Sequence, residues 1–279
     1  MRTGESIPGA GFFHEWPLVL FTTLAVCGAG LLATPLLSWV AAGTPAPAAG
    51  TVRFGALLLA ASLVVSLAHL GRPSRAPLAS GGLGRSRLSA EVLAGVVAAL
   101  LGATAALLPY VTPILDVATA LAAVVFLVTL GLVYALPGQQ TWRGVVVWMP
   151  LTSGLGFGAV GLAAYWGDAL AAIGAVAAVG LAADTALLIV RRLALAWPRV
   201  PISPRYPAMF ARLQALLLVR LALVDVLPGL CLVAGLRSAA VAAIGLGILV
   251  DRVSFYGLAA QQTTESEVER VEGILTSRA

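Results

Sequence analysis

Two histidines are the side chains of this sequence best suited to proton chemistry near neutral pH. His69 ends an apolar stretch, within the segment SLAHLGRP at 66–73, and His14 precedes the first apolar stretch. Imidazole is costly inside lipid. A histidine followed by glycine, arginine and proline at a membrane boundary therefore indicates a site for a proton-coupled ligand.

The composition is that of a membrane protein, with 60% hydrophobic and 10% charged residues. An apolar run of about 18 residues or more can cross a bilayer core about 30 Å thick. We predict an all-α polytopic fold, a bundle of eight transmembrane helices forming one integral-membrane domain over 1–279. The predicted spans are 17–40, 54–70, 92–108, 114–136, 145–166, 169–190, 213–236 and 238–260.

The arginines predict the orientation, since all 17 basic residues are arginines. With eight spans, both termini and the loops 71–91, 137–144 and 191–212 share one side, where most arginines lie. The opposite side keeps only Arg53 and Arg237. By the positive-inside rule the arginine-rich side, together with both termini, is cytoplasmic. The net charge of +5 needs no nucleic acid partner to explain it.

The arginine-rich side is also where a soluble partner is expected to dock. It carries the long loops 71–91 and 191–212, whereas most opposite connections are short. The alternative is that these loops are merely solvated. The candidate docking residues are Arg75, Arg85, Arg87, Arg143 and Arg205.

Ionisable residues inside spans are functional candidates because burying them in lipid is expensive. Nearly all of them lie toward the arginine-rich side, which argues against a channel or transporter, since a transmembrane route needs polar groups on both sides. The alternative role for each is structural ion pairing between helices. The candidates for polar support are Asp184, Arg220, Asp225, Asp251, Arg252 and Tyr256.

The histidines fit a quinone better than a haem or a metal. Haem b ligation by two histidines requires both to face each other, and His14 lies before the first span. No Glu-x-x-His or Cys/His cluster is present, and Cys27 and Cys231 lie in separate spans without paired spacing. We therefore expect no metal, haem or iron–sulfur cluster in this chain.

A neutral histidine can instead exchange a hydrogen bond and a proton with a quinone oxygen. His69 is the principal candidate for this role. His14, Arg72 and Glu91 are secondary candidates for positioning or proton exchange, and Glu91 begins the third span on the same side.

A weak similarity between two parts of the sequence suggests that the bundle consists of two four-helix halves. Trp-Pro-Leu at 16–18 opens the first span, and Trp-Met-Pro-Leu at 148–151 lies near the start of the fifth. Small residues follow in both spans, which permits close helix approach in lipid. Helix packing alone is the alternative explanation.

Four short motifs resemble a known family. HEWPL at 14–18, HLG-x-P at 69–73, S-x-LS-x-E at 86–91 and YG at 256–257 are similar, in order and spacing, to the DmsC family. The members of this family are membrane-anchor subunits of dimethyl sulfoxide reductases. The eight predicted spans and the overall length are similar too.

The resemblance implies a non-catalytic anchor in a bacterial or archaeal cytoplasmic membrane. Such anchors hold a four-cluster iron–sulfur subunit and a molybdopterin catalytic subunit, carry no haem, and exchange electrons with menaquinone or ubiquinone. The family's histidine in His-Leu-Gly, associated with quinol binding, corresponds to His69. Similar anchors serve thiosulfate-, tetrathionate- or sulfite-linked complexes, so the substrate is chosen by the partner subunit.

We therefore predict a quinone-binding anchor in which quinone enters between helices near the arginine-rich side. It would serve a dimethyl sulfoxide reductase-like or sulfite-oxidising complex. The alternatives are a small-solute transporter or assembly factor without redox work, and a haem-bearing quinone oxidoreductase subunit.

Overall fold

Every regular element that the structure describes is helical. It is a computed structural model, and it describes residues 16–43, 49–69, 82, 85–108, 113–135, 144–166, 170–196 and 206–259. The α-helices in chain order are α1 (Trp16–Leu32), α2 (Thr34–Ala42), α3 (Ala49–His69), α4 (Arg87–Leu107), α5 (Pro113–Val133), α6 (Met149–Trp166), α7 (Leu170–Ala196), α8 (Tyr206–Leu221), α9 (Leu227–Val233) and α10 (Arg237–Ala259). A 3₁₀ turn (Gly144–Val147) precedes α6, and a π turn (Ala222–Val226) joins α8 to α9.

The predicted class, an all-helical multi-pass membrane protein, is confirmed for this part of the chain. Six helical segments are long and apolar enough to cross a membrane, and α1 with α2, bent by 44°, makes a seventh if counted as one span. The remaining predicted span, 145–166, corresponds to α6. It is helical, but its four glycines and its polar residues make it less apolar, so eight spans stay a prediction.

Helix α1 lies at the centre of the bundle and packs against α3, α5, α6 and α10. Two glycines on it allow this. Gly28 faces the backbone of α3 at Gly55 and Leu59, and Gly30 faces the backbone of α6 at Gly154. A side chain at either glycine would overlap that backbone, so close packing in lipid depends on their smallness. The predicted close approach is confirmed, while the two four-helix halves stay a prediction.

Three helices extend further on the arginine-rich side than the sequence predicts, and one of them, α8, begins at Tyr206 rather than at 213. Helix α7 continues to Ala196, six residues beyond the predicted span, and α4 begins at Arg87 rather than at 92. Placing Arg191 in the loop 191–212 was therefore wrong. The side chain of Arg191 is buried in the bundle, near Asp251.

Pro228 does not break the seventh span. A proline lacks an N–H and its ring clashes with the carbonyl four residues earlier, here in the π turn. The helix widens there, and the N–H of Leu227 bonds the carbonyl of Ala222, five residues back. A single π turn inside a helix is a recognised way to absorb such a conflict.

Candidate functional site

Most of the residues predicted to bind the quinone have side chains outside the part of the chain that the structure describes. His69 is the last residue of α3, and its side chain is outside the described part. His14, Arg72, Arg75, Arg143 and Arg205 also lie outside the described residues. Glu91 is placed: it lies one turn into α4 and is buried.

The buried polar residues form two clusters, and the first lies nearer the arginine-rich side. We name it the outer cluster; it consists of Tyr134, Arg191, Asp251, Arg252, Phe255 and Tyr256. Its three aromatic rings pack edge to face, with centroids 5.1 Å apart for Tyr134–Phe255 and Phe255–Tyr256 and 6.0 Å apart for Tyr134–Tyr256. The hydroxyls of Tyr134 and Tyr256 hydrogen-bond to each other.

Two guanidinium groups in the outer cluster share one carboxylate. Arg191 Nη1 is 3.9 Å from Asp251 Oδ1, and Arg252 Nη2 is 3.9 Å from Asp251 Oδ2. Both guanidinium groups also lie near the Phe255 ring, with their central carbons 5.1 Å and 5.8 Å from its centroid. The face of an aromatic ring attracts cations, so Phe255 favours the close approach of both guanidinium groups to its ring.

Arg252 contributes buried hydrogen-bond donors to this cluster that the described residues do not satisfy. Its side chain is 2% exposed, and within the described ranges its Nε and Nη2 atoms have no hydrogen-bond partner. A separation of 3.9 Å is too long for a hydrogen bond to Asp251. Leaving buried donors unpaired costs free energy, and this marks Arg252 for functional attention.

Three further side chains lie around the outer cluster. The carboxyl group of Glu91 is within electrostatic range of Tyr134 and Tyr256. Thr22 of α1 lies beside the hydroxyl of Tyr256, and the thiol of Cys27 is within range of Arg252. A carboxyl, two phenols and a guanidinium are thus gathered among α1, α4, α5 and α10. All of these groups can donate a hydrogen bond to an oxygen, the carboxyl when protonated.

The second cluster, which we name the inner cluster, consists of Thr152, Ser153, Asp184, Thr185, Arg220 and Asp225. Asp184 Oδ1 accepts hydrogen bonds from Ser153 at 2.6 Å and from Thr152 at 2.8 Å, and its carboxylate pairs with Arg220. Asp225 accepts a hydrogen bond from Thr185 at 2.6 Å and lies 3.4 Å from Arg220 Nη1. These contacts join α6, α7, α8 and the π turn.

The two clusters lie at different depths in the same half of the bundle. Asp184 and Arg191 are seven residues apart on α7, which at 1.5 Å per residue is about 10 Å along the helix. Arg191 is the nearer to the arginine-rich end. The sequence predicts that Asp184, Arg220 and Asp225 lie toward the same side. In the structure Arg220 also pairs with both carboxylates.

The structure adds three residues to the outer cluster that the sequence did not single out: Tyr134, Arg191 and Phe255. Tyr134 and Phe255 are aromatic residues at span ends, where such residues are common as interface anchors. Arg191 looked like a loop charge. The apolar residues that follow it, Leu193 to Ala196, were the available signal that the helix continues.

Two of the predicted docking arginines are described. Arg85 is exposed. Arg87 is exposed as well, but its Nη1 donates to the carbonyls of Ala135 at 2.6 Å and Leu132 at 3.3 Å. Arg87 therefore provides hydrogen bonds to backbone carbonyls at the carboxyl end of α5. Its position in a charged loop did not indicate this role. The docking role of both residues stays a prediction.

No group of three or more His, Cys, Asp or Glu side chains suited to a metal ion occurs among the described residues. The expected absence of haem, metal and iron–sulfur clusters from the whole chain stays a prediction.

The fold and the buried charges define a multi-pass helical membrane protein whose polar groups gather at one end. The family described as "DMSO reductase anchor subunit (DmsC)" matches residues 9–258, and the chain belongs to that family. The chain is also similar to the anaerobic dimethyl sulfoxide reductase chain YnfH of Escherichia coli (strain K12), at 40% identity over 88 residues. That match covers 30% of this chain and 31% of the relative's length.

Proposed function

We propose that this chain is the quinone-binding membrane anchor of a molybdopterin oxidoreductase complex. It would pass electrons between the quinone pool and an iron–sulfur partner subunit, in a dimethyl sulfoxide reductase-like or sulfite-oxidising complex. The observation that carries the proposal is the gathering of Glu91, Tyr134, Tyr256 and Arg252 at the polar end of a DmsC-family chain.

These residues suit a quinone. A bound quinone supplies two-electron, two-proton chemistry. Its apolar ring suits the edge-to-face aromatic cluster, and its oxygens need hydrogen-bond donors, which the unpaired atoms of Arg252 and the tyrosine hydroxyls supply. His69, at the adjacent end of α3, is our proposed hydrogen-bond partner for one oxygen, with His14 and Arg72 in supporting positions.

Glu91 is our candidate for proton exchange. It is buried one turn inside the membrane end of α4, near two phenols. A buried carboxyl group close to the interface can hold a proton and exchange it with water at the membrane edge. Arg87, one turn earlier on α4, is exposed and marks that edge.

The test of this function compares two routes of electron entry into the complete complex. His69→Ala should lower quinol-dependent turnover by about a hundredfold or more, the size expected for a positioned proton-transfer group. Glu91→Gln should lower it by about tenfold or more on the same grounds. Turnover with a reduced dye that feeds the catalytic subunit directly should stay unchanged.

The matched control is Asp116→Asn, a buried carboxyl in the first turn of α5, at the opposite end of the bundle. It should leave both activities intact. Normal quinol turnover in both the His69 and Glu91 variants would refute the proposed site.

We further propose that the arginine-rich side is cytoplasmic and docks the iron–sulfur subunit, with the molybdopterin subunit beyond it. The relevant residues are Arg75, Arg85, Arg87, Arg143 and Arg205. Changing Arg75, Arg85, Arg143 and Arg205 together to glutamine should release the partner subunits from washed membranes. The controls are Arg53→Gln and Arg237→Gln on the opposite side. If the partners stay bound, the docking face is elsewhere.

The alternative, a small-solute transporter, has no comparable observation in its favour. Purification separates the two functions: an anchor should bring iron–sulfur and molybdopterin subunits with it, and a transporter should come alone. An absorption spectrum of the same preparation would reveal any haem in this chain.

A further inference from the structure

Arg252 is buried in an arrangement that the packing of the helices does not explain. Its side chain is 2% exposed, and Nε and Nη2 find no hydrogen-bond partner among the described residues. Arg220, buried to a similar degree in the inner cluster, has both terminal nitrogens close to carboxylates, and among the described residues only its Nε lacks a hydrogen-bond partner. A fold that can satisfy one buried guanidinium would be expected to satisfy the other, unless a ligand does so.

The surroundings of Arg252 select an anionic ligand. Among the described residues, the outer cluster places two guanidinium groups against the single carboxylate of Asp251. The ring of Phe255 draws both guanidinium groups together. When Glu91 carries a proton, the described groups of the cluster hold two positive charges against one negative charge, and an additional negative charge would balance the second guanidinium group.

The ligand must also be aromatic or apolar in its body. Tyr134, Phe255 and Tyr256 supply rings and two phenolic hydroxyls next to the guanidinium groups. A simple inorganic anion would gain nothing from the aromatic surface. A ring that carries an ionised oxygen would use both parts of the cluster.

We propose that the Nε–Nη2 edge of Arg252 binds the head-group oxygen of the quinone in its ionised state. This inference rests on the proposed function and deepens it. It names Arg252 as the residue that stabilises the quinone oxygen when that oxygen carries a negative charge. A neutral quinone oxygen gains one ordinary hydrogen bond there, whereas an ionised oxygen gains a charge-assisted pair. Arg252 would hence favour the charged state over the neutral one.

The experiment uses two probes of the same shape but different charge. One is an alkyl-substituted hydroxynaphthoquinone, an acid that is ionised at neutral pH, and the other is its uncharged methyl ether. Both are tested as competitive inhibitors of quinol turnover by membranes that contain the complete complex. In the unmodified complex the ionised compound should bind more tightly than the ether by about ten- to a hundredfold, the size of a hydrogen bond to a charged group.

Arg252→Gln should abolish that preference by weakening the binding of the ionised compound alone. Arg237→Gln, an exposed arginine at the opposite end of α10, should leave the preference unchanged. If Arg252→Gln keeps the preference for the ionised compound, the inference is overturned while the quinone site itself stands. If neither compound competes with quinol in the unmodified complex, the proposed function fails together with the inference.

A second variant covers the case in which Arg252→Gln does not assemble. Arg252→Lys keeps the charge but lacks the planar edge that can donate two parallel hydrogen bonds. It should bind the ionised compound less tightly than the unmodified complex and bind the ether equally well. Equal binding of the ionised compound would overturn the role of the Nε–Nη2 edge.

Discussion

The inner and outer clusters both contain guanidinium, carboxylate and hydroxyl groups but differ in how the charged groups are satisfied. In the inner cluster three hydroxyls and Arg220 surround two carboxylates, with hydrogen bonds as short as 2.6 Å. In the outer cluster both ion pairs are stretched to 3.9 Å and Arg252 leaves two donors unpaired. A closely paired network rigidifies a fold. An incompletely paired one marks where a ligand is expected.

The largest stability effect should come from the inner cluster. Asp184→Asn keeps the shape of the side chain but leaves Arg220 without its closest carboxylate. Removing one partner of a buried ion pair costs about 3–5 kcal/mol. The measurement is the free energy of unfolding in detergent micelles, together with the amount of protein recovered from membranes.

Asp116→Asn is the matched control for this variant, because Asp116 is buried but lies away from both clusters. Its cost should be about 1 kcal/mol or less, since the neutral amide is cheaper to bury than a carboxylate. If the two asparagine variants are equally stable, the inner cluster does not hold the helices together.

The outer cluster should lose more stability when its carboxylate is removed than when one of its guanidinium groups is removed. Asp251→Asn leaves two guanidinium groups beside Phe255 without the carboxylate between them, and should cost about 2–3 kcal/mol. Arg252→Met leaves Arg191 and Asp251 as a one-to-one pair and should change stability by about 1 kcal/mol at most. The same unfolding measurement checks both.

The order of these two variants is the critical result. If Arg252→Met destabilises the protein more than Asp251→Asn, Arg252 serves the fold rather than a ligand, and the contrast between the clusters disappears.

A small effect should come from the tyrosine pair. Tyr134→Phe removes one hydroxyl of the hydrogen bond to Tyr256 but keeps the ring packing, and should cost about 1 kcal/mol. Tyr256 retains Thr22 as a neighbour. The control is Tyr165→Phe, an exposed tyrosine near the opposite end of α6, for which no measurable change is expected. A similar loss in both variants would mean that the hydroxyl pair contributes nothing.

The positions of the helices follow from hydropathy, because a segment long and apolar enough to cross lipid is visible in the sequence. Helix ends on the arginine-rich side are harder to predict, because a charge that pairs inside the bundle looks like a charge in water. Arg191 and Glu91 show this: each lies one residue outside a predicted span, yet both are buried.

The site was predictable only as a set of candidates. Asp251, Arg252, Tyr256 and Glu91 are conspicuous because ionisable and phenolic groups are rare in lipid. The residues that they contact are not conspicuous in the sequence. The hydroxyls of Tyr134 and Tyr256, for example, hydrogen-bond although the two residues are 122 positions apart in sequence. Pairing over such a distance depends on how helices pack. Hydropathy and spacing carry little information about that packing.

The π turn between α8 and α9 changes which side of the seventh span faces the protein. A regular α-helix rotates about 100° per residue, so Arg220 and Asp225 would point about 140° apart. With the wider turn they meet at 3.4 Å instead. Beyond the turn every side chain is offset by one residue's rotation, which brings Pro228 and Cys231 to the buried side. If this segment formed a regular α-helix instead, that stripe would turn toward lipid and the ion pair would separate, without altering any residue that forms either one.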